Sequence, residues 1–123
     1  MYRWLVAVLL LLFVAATAHG SDVERSVWEE RMVDVLPEHF CADGTYFREC
    51  FRVNRDRCLE VARESVRDCL REHADELPER LIMPYEGREW GATIGSCAGR
   101  AYEESLAEKR RLTRSCRDPE RWQ

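Results

Sequence analysis

Six cysteines, Cys41, Cys50, Cys58, Cys69, Cys97 and Cys116, constrain this chain more than any other feature, and none of them precedes residue 41. An even set of this size in a short chain points to an oxidising compartment and a disulfide framework. The first 20 residues agree with that compartment. They run from Arg3 through an unbroken apolar stretch, Trp4 to Ala16, into small residues, which is the order of a signal peptide. Two positions satisfy the small-x-small rule for cleavage, after Ala18 and after Gly20. The apolar run falls short of the roughly 20 residues that span a bilayer, so cleavage is expected and no stable membrane span should remain. The sequence therefore predicts residues 1–20 as leader and residues 21–123 as one exported domain, periplasmic or extracellular.

Of the 123 residues, a mature portion of about 100 supports one modest core, and covalent cross-links commonly supplement packing at that size. The formal net charge of -4 comes from 23 acidic and 19 basic residues that are finely interleaved along the chain. That distribution lacks the basic face of a nucleic-acid binder, and none is expected as a partner. Lys109 is the single lysine among the basic residues, a bias that fits a GC-rich, bacterial source.

The pattern beyond the leader is helical. Ser21 and Glu24 have the spacing of a capping box, and Trp28, Met32, Val35 and Leu36 then recur at helical intervals until Pro37. A first helix is predicted over about 22–36. A loop around Cys41 and Asp43-Gly44 leads to a short helical piece, about 45–52. Asn54 then caps a longer helix whose stripe Cys58, Val61, Ala62, Val66, Cys69 and Leu70 opposes Arg57, Glu60, Arg63, Glu64, Arg67 and Asp68. That helix should fade between His73 and Leu77, with Pro78 to Trp90 read as a broken stretch. Gly91, Gly95 and Gly99 fall four apart. Either they line one face of a helix and admit another backbone closely, or the segment is irregular and helix begins near Arg100. No period-two alternation is long enough for a strand. The fold class is all-α: a small disulfide-stapled helical domain of three or four helices.

Cysteine spacing ranks the cross-links without fixing them. Cys58 and Cys69 would sit about 16 Å apart along one helix, beyond disulfide reach. Folding the short helix back on the long one would nest Cys50 with Cys58 inside Cys41 with Cys69. Cys97 would then join Cys116, unless the glycine segment is helical, in which case it must be cross-linked to the other helices instead.

Chemistry-bearing motifs are scarce. The chain has no Cys-x-x-Cys pair for redox exchange, no Cys/His set at zinc spacing beyond the neighbours His39 and Cys41, and no phosphate-binding glycine loop. No metal, no cofactor and no catalytic residue is expected. Between Pro84 and Gly99 the sequence gathers Tyr85, Arg88, Glu89 and Trp90, residue types favoured where partners dock. These four are the candidate partner-binding residues, although the aromatics would serve equally as core. The expected function is that of an exported binding module acting on another envelope or extracellular protein; the alternative is a small secreted enzyme or effector. Mass spectrometry of the exported protein without reductant should find a new N-terminus at His19 or Ser21 and six oxidised cysteines, whereas an intact Met1 would overturn the reading of the leader.

Overall fold

The computed structural model describes residues 21–122. The expected leader and its two cleavage positions lie outside the described residues. The order of elements is strand β1 (Asp22–Glu24), helix α1 (Arg25–Phe40), short helix α2 (Tyr46–Glu49), helix α3 (Arg55–Glu72), strand β2 (Arg80–Ile82) and helix α4 (Tyr85–Ser105), followed by 3₁₀ turns at Ala107–Lys109, Ser115–Arg117 and Pro119–Trp122. The fold is a disulfide-stapled helical domain, as its periodicity predicts.

Helix α3 is central and packs against both α1 and α4. Asn54 caps it by accepting a hydrogen bond from the Arg57 backbone N–H at 2.8 Å. The predicted stripe is buried in full, from Cys58 and Val61 to Cys69 and Leu70, because those positions share one helix face. Trp28 and Phe40 from α1, and Ile94, Ala98 and Tyr102 from α4, complete a single core with Phe51 and Leu81.

Several boundaries differ from the sequence reading. Helix α1 begins at Arg25 and runs through Pro37 to Phe40. Its first backbone donors are not met by Ser21; the Arg25 N–H donates to the Glu79 carbonyl at 2.9 Å. Beyond Pro37, tertiary packing outweighs the local penalty: Phe40 is buried and stacks on Phe47 with ring centroids 4.3 Å apart. Of the expected capping-box pair, Glu24 belongs to a strand instead and Ser21 precedes it. Asp22, Val23 and Glu24 pair antiparallel with Ile82, Leu81 and Arg80, a ribbon too short to show alternation. Helix α4 starts at Tyr85, so the later part of the stretch read as broken, Tyr85 to Trp90, is helical, and the glycine segment is helical throughout.

The glycines of α4 admit side chains and not another backbone. A Cβ on Gly99 would lie 3.0 Å from the Phe47 ring, and one on Gly87 would collide with the Met83 thioether, whereas Gly91 faces open space. The cost of helical glycine at Gly99 is offset by the aromatic ring seated there.

All six cysteines are bridged, in pairs other than the nested set. Cys41 joins Cys58, Cys50 joins Cys116 and Cys69 joins Cys97. The nested pairs Cys41 with Cys69 and Cys50 with Cys58 fail because the chain that folds back on α3 is α1, not the single turn of α2. Cys41 therefore meets the near end of α3 and leaves Cys69 for α4. Cys97 cannot reach Cys116 along a helical α4, and the tail returns to α2 instead. Arg111 donates to the Cys50 carbonyl at 2.8 Å, and Arg52 donates to the Lys109 carbonyl at 2.9 Å, beside the new bridge.

Replacing Cys50 and Cys116 together by alanine opens the longest loop, 66 residues, and by chain entropy costs about 4 kcal/mol, against about 3 kcal/mol for Cys41 with Cys58. Denaturant unfolding of the two oxidised double variants measures the order.

Candidate functional site

The β1–β2 ribbon and the start of α4 build one exposed tip. Arg80 anchors the ribbon by donating from Nε to Asp22 at 2.9 Å, which holds the Asp22 carboxyl below its ordinary range. The Met83 N–H donates to the Ser21 carbonyl at 3.0 Å, and the Ile82 N–H donates to Glu86 Oε2 at 2.6 Å. Leu81 is buried beneath, so alternation along the strand turns Ile82 outward. Ile82 is 54% exposed and Tyr85, three residues on, is 74% exposed. The Met83–Pro84 bond between them is cis.

The four candidate residues of this region do not share a face. Tyr85, Arg88 and Glu89 are exposed and fall at helical positions i, i+3 and i+4, on one side of α4. Trp90 turns away from them. It is partly buried against the core and meets the His73 ring edge-on at 6.2 Å between centroids, while His73 Nδ1 lies 3.1 Å from Glu76 Oε2. Trp90 thus braces the turn after α3, and the exposed aromatic of the tip is Tyr85.

A second surface lies between α1 and α3, and the sequence gives little sign of it. Ser26, Glu29, Glu30, Val33 and Asp34 form one wall of an open groove of about 630 Å³, and Arg67, Leu70 and Arg71 form the other. The acidic wall faces the basic wall over an apolar floor of Val33 and Leu70. Read linearly, these charges are interleaved; only the packing of α1 on α3 sorts them by sign.

At the opposite end, polar groups close the fold. The Tyr46 hydroxyl donates to Glu103 Oε1 at 2.6 Å, and Arg110 Nη2 donates to the same carboxylate at 3.1 Å and to the Tyr46 hydroxyl. Burial, and then the Glu103 carboxylate, push the Tyr46 phenol up. Tyr102 lies deeper, ringed by Phe40, Phe47 and Phe51. Its hydroxyl donates to the Phe47 carbonyl at 3.1 Å and lies 3.2 Å from Cys58 Sγ. Burial pushes its phenol up to about 12.

One trio, Cys69, Glu72 and Cys97, brings three ligand-type atoms together. Both sulfurs are spent in the Cys69–Cys97 bridge, so neither is the thiolate that a metal site needs. Among the described residues, no helix is long and apolar enough to cross a membrane.

A family model described as T2SS substrate NttA matches residues 22–110, well over half of the chain. The chain belongs to the NttA family. The match begins at the first residue of β1 and ends at Arg110, so it takes in every helix from α1 to α4 and the Tyr46, Glu103 and Arg110 cluster. Cys116 lies beyond it. No curated protein and no solved structure matches the chain. An NttA-family protein is a secretion substrate, so the chain is an exported protein, and its three disulfides suit that destination.

Titration of the native protein should show a phenol ionising near pH 12. The neutral phenol is favoured in the fold, so its stabilising effect is complete below the unfolded value of about 10 and is lost as pH rises through the folded one. Phenolate absorbance of wild type against Tyr102→Phe checks this; a step unaffected by the substitution would mean that Tyr102 is not its source.

Proposed function

We propose that this protein acts outside the cell as a small, non-catalytic binding module, and that the tip formed by Ile82 and Tyr85 is its contact with another protein. The observation that carries the reading is the pair of large apolar side chains held more than half exposed on a braced junction. Burying such side chains against a partner is favourable by about 25 cal/mol per Å² of apolar surface removed from water. Tyr85 adds a hydroxyl for orientation, and aromatic side chains of this kind commonly anchor interfaces. Arg88 and Glu89, on the same side of α4, supply a charged rim.

The anchoring of the tip supports the same reading. The ribbon is short, but Leu81 is buried and Arg25 Nη1 donates to the Leu77 carbonyl at 3.0 Å. A surface already rigid loses less entropy when it docks. The extracellular destination rests on the family, which is one of type II secretion substrates.

Two measurements test the proposal. The first is the protein's distribution between periplasm and medium in cells with and without type II secretion; accumulation in the medium of both would sink the assigned route. The second places a photo-crosslinking residue at position 85 and, as a control, at Asp56 on α3. Discrete adducts are expected from position 85 alone, and they should be lost when Ile82→Glu is added. Equal adducts from both positions, or persistence with Ile82→Glu, would overturn the tip as the binding surface.

A further inference from the structure

We infer that the groove between α1 and α3 is a self-association surface, occupied by the same groove of a second copy of this chain. Charge pattern, helix direction and apolar content lead there independently of the tip.

The two walls carry opposite charge: Glu29, Glu30 and Asp34 on α1, Arg67 and Arg71 on α3. Among the described residues, no ion pair joins one wall to the other. Glu29 leans on Arg25 at 3.8 Å and Arg71 on Asp68, each within its own helix. Glu30, Asp34 and Arg67 have no ion-pair partner among the described residues. The monomer thus presents an acidic row beside a basic row, separated by an apolar floor.

Such a surface is self-complementary under one particular symmetry. The Cys41–Cys58 bridge joins the end of α1 to the start of α3, so the two helices run antiparallel and the acidic row lies level with Arg67 and Arg71. A two-fold axis running along the groove floor, parallel to the helices, places α1 of one copy over α3 of the other at the same level. Each acidic row then meets a basic row, twice. An isologous contact needs this kind of matching. Val27, 54% exposed, continues the stripe of Glu30 and Asp34 at spacing i, i+3, i+7, and adds apolar area to the half-buried Val33, beneath which Leu70 is already buried. Charge pairing would set orientation and salt sensitivity, and the apolar strip would supply adhesion. The dimer would carry two Tyr85 tips, which gives avidity to the binding proposed above without depending on it.

The test uses charge reversal on the mature, oxidised protein, with sedimentation equilibrium as the readout and circular dichroism to verify folding. Wild type should dimerise reversibly and more weakly as salt rises. Glu30→Arg with Asp34→Arg makes both walls basic, and Arg67→Glu with Arg71→Glu makes both acidic. Each double variant alone should self-associate at least about tenfold more weakly. Mixed in equal amounts, the two should pair with each other, since every reversed row then faces a row of opposite sign. A wild type that stays monomeric at high protein concentration and low salt would overturn the inference. So would dimers indifferent to reversal, or reversed variants that fail to pair on mixing. The exposed substitution Val27→Arg, which sets a cation on the acidic row opposite Arg67 and Arg71, is a second probe should either double variant fold poorly, and it is expected to weaken the dimer while leaving the monomer's spectrum unchanged.

Discussion

Burial of one face of α3 is the constraint on which the other elements depend. Eight of its residues, Cys58, Leu59, Val61, Ala62, Ser65, Val66, Cys69 and Leu70, are withdrawn from water. Neither α1 nor α4 has a stripe of comparable regularity, and each finds its place by covering part of that face. The two disulfides near the ends of α3 fasten this arrangement covalently. Cys58 ties its start to α1 and Cys69 ties its end to α4. Ser65, the one polar side chain in the buried set, satisfies its hydroxyl on the Val61 carbonyl at 2.8 Å, within the helix.

The aromatic cluster at the other end of the domain solves a different problem. The 3₁₀ turns after α4 bury little beyond Cys116, so the tail could not hold itself down. It is held by the Cys50–Cys116 bridge, by Arg110, which donates to both members of the Tyr46–Glu103 pair, and by Trp122, which donates from Nε1 to the Ser115 carbonyl at 2.9 Å and lies 6.2 Å from the Tyr46 ring. Phe47 links this cluster to the glycine face of α4, where its ring fills the space a side chain on Gly99 would need.

What the sequence revealed follows from the range of the interactions involved. The α3 stripe, the Asn54 cap and the helical class are local or periodic, and they are legible. The ends of α1 and α4 are not, because Phe40 against Tyr102 and the core around Leu81 override Pro37 and Pro84, and those contacts join residues far apart in the chain. The ribbon escaped notice because three residues cannot display an alternating pattern. Connectivity depends on which helix lies beside α3, a tertiary fact that spacing does not hold. Of the surface residues singled out in advance, Tyr85, Arg88 and Glu89 remain together, while Trp90 is separated from them by its own position on the helix. The sorting of Glu30 and Asp34 from Arg67 and Arg71 arises only when two helices are laid side by side.

The order of the bridges has a consequence for an exported protein's lifetime. The span from Cys41 to Cys58 overlaps the span from Cys50 to Cys116, so together they enclose every peptide bond between residues 41 and 116. A protease that severs any one of those bonds, in the turn after α3 or at the exposed tip, produces no separate fragment. Both pieces stay covalently joined, and the core can remain closed around the nick. Damage that would end the life of an unbridged helical domain of this size therefore leaves this one whole, and only a second cut or a reductant can divide it.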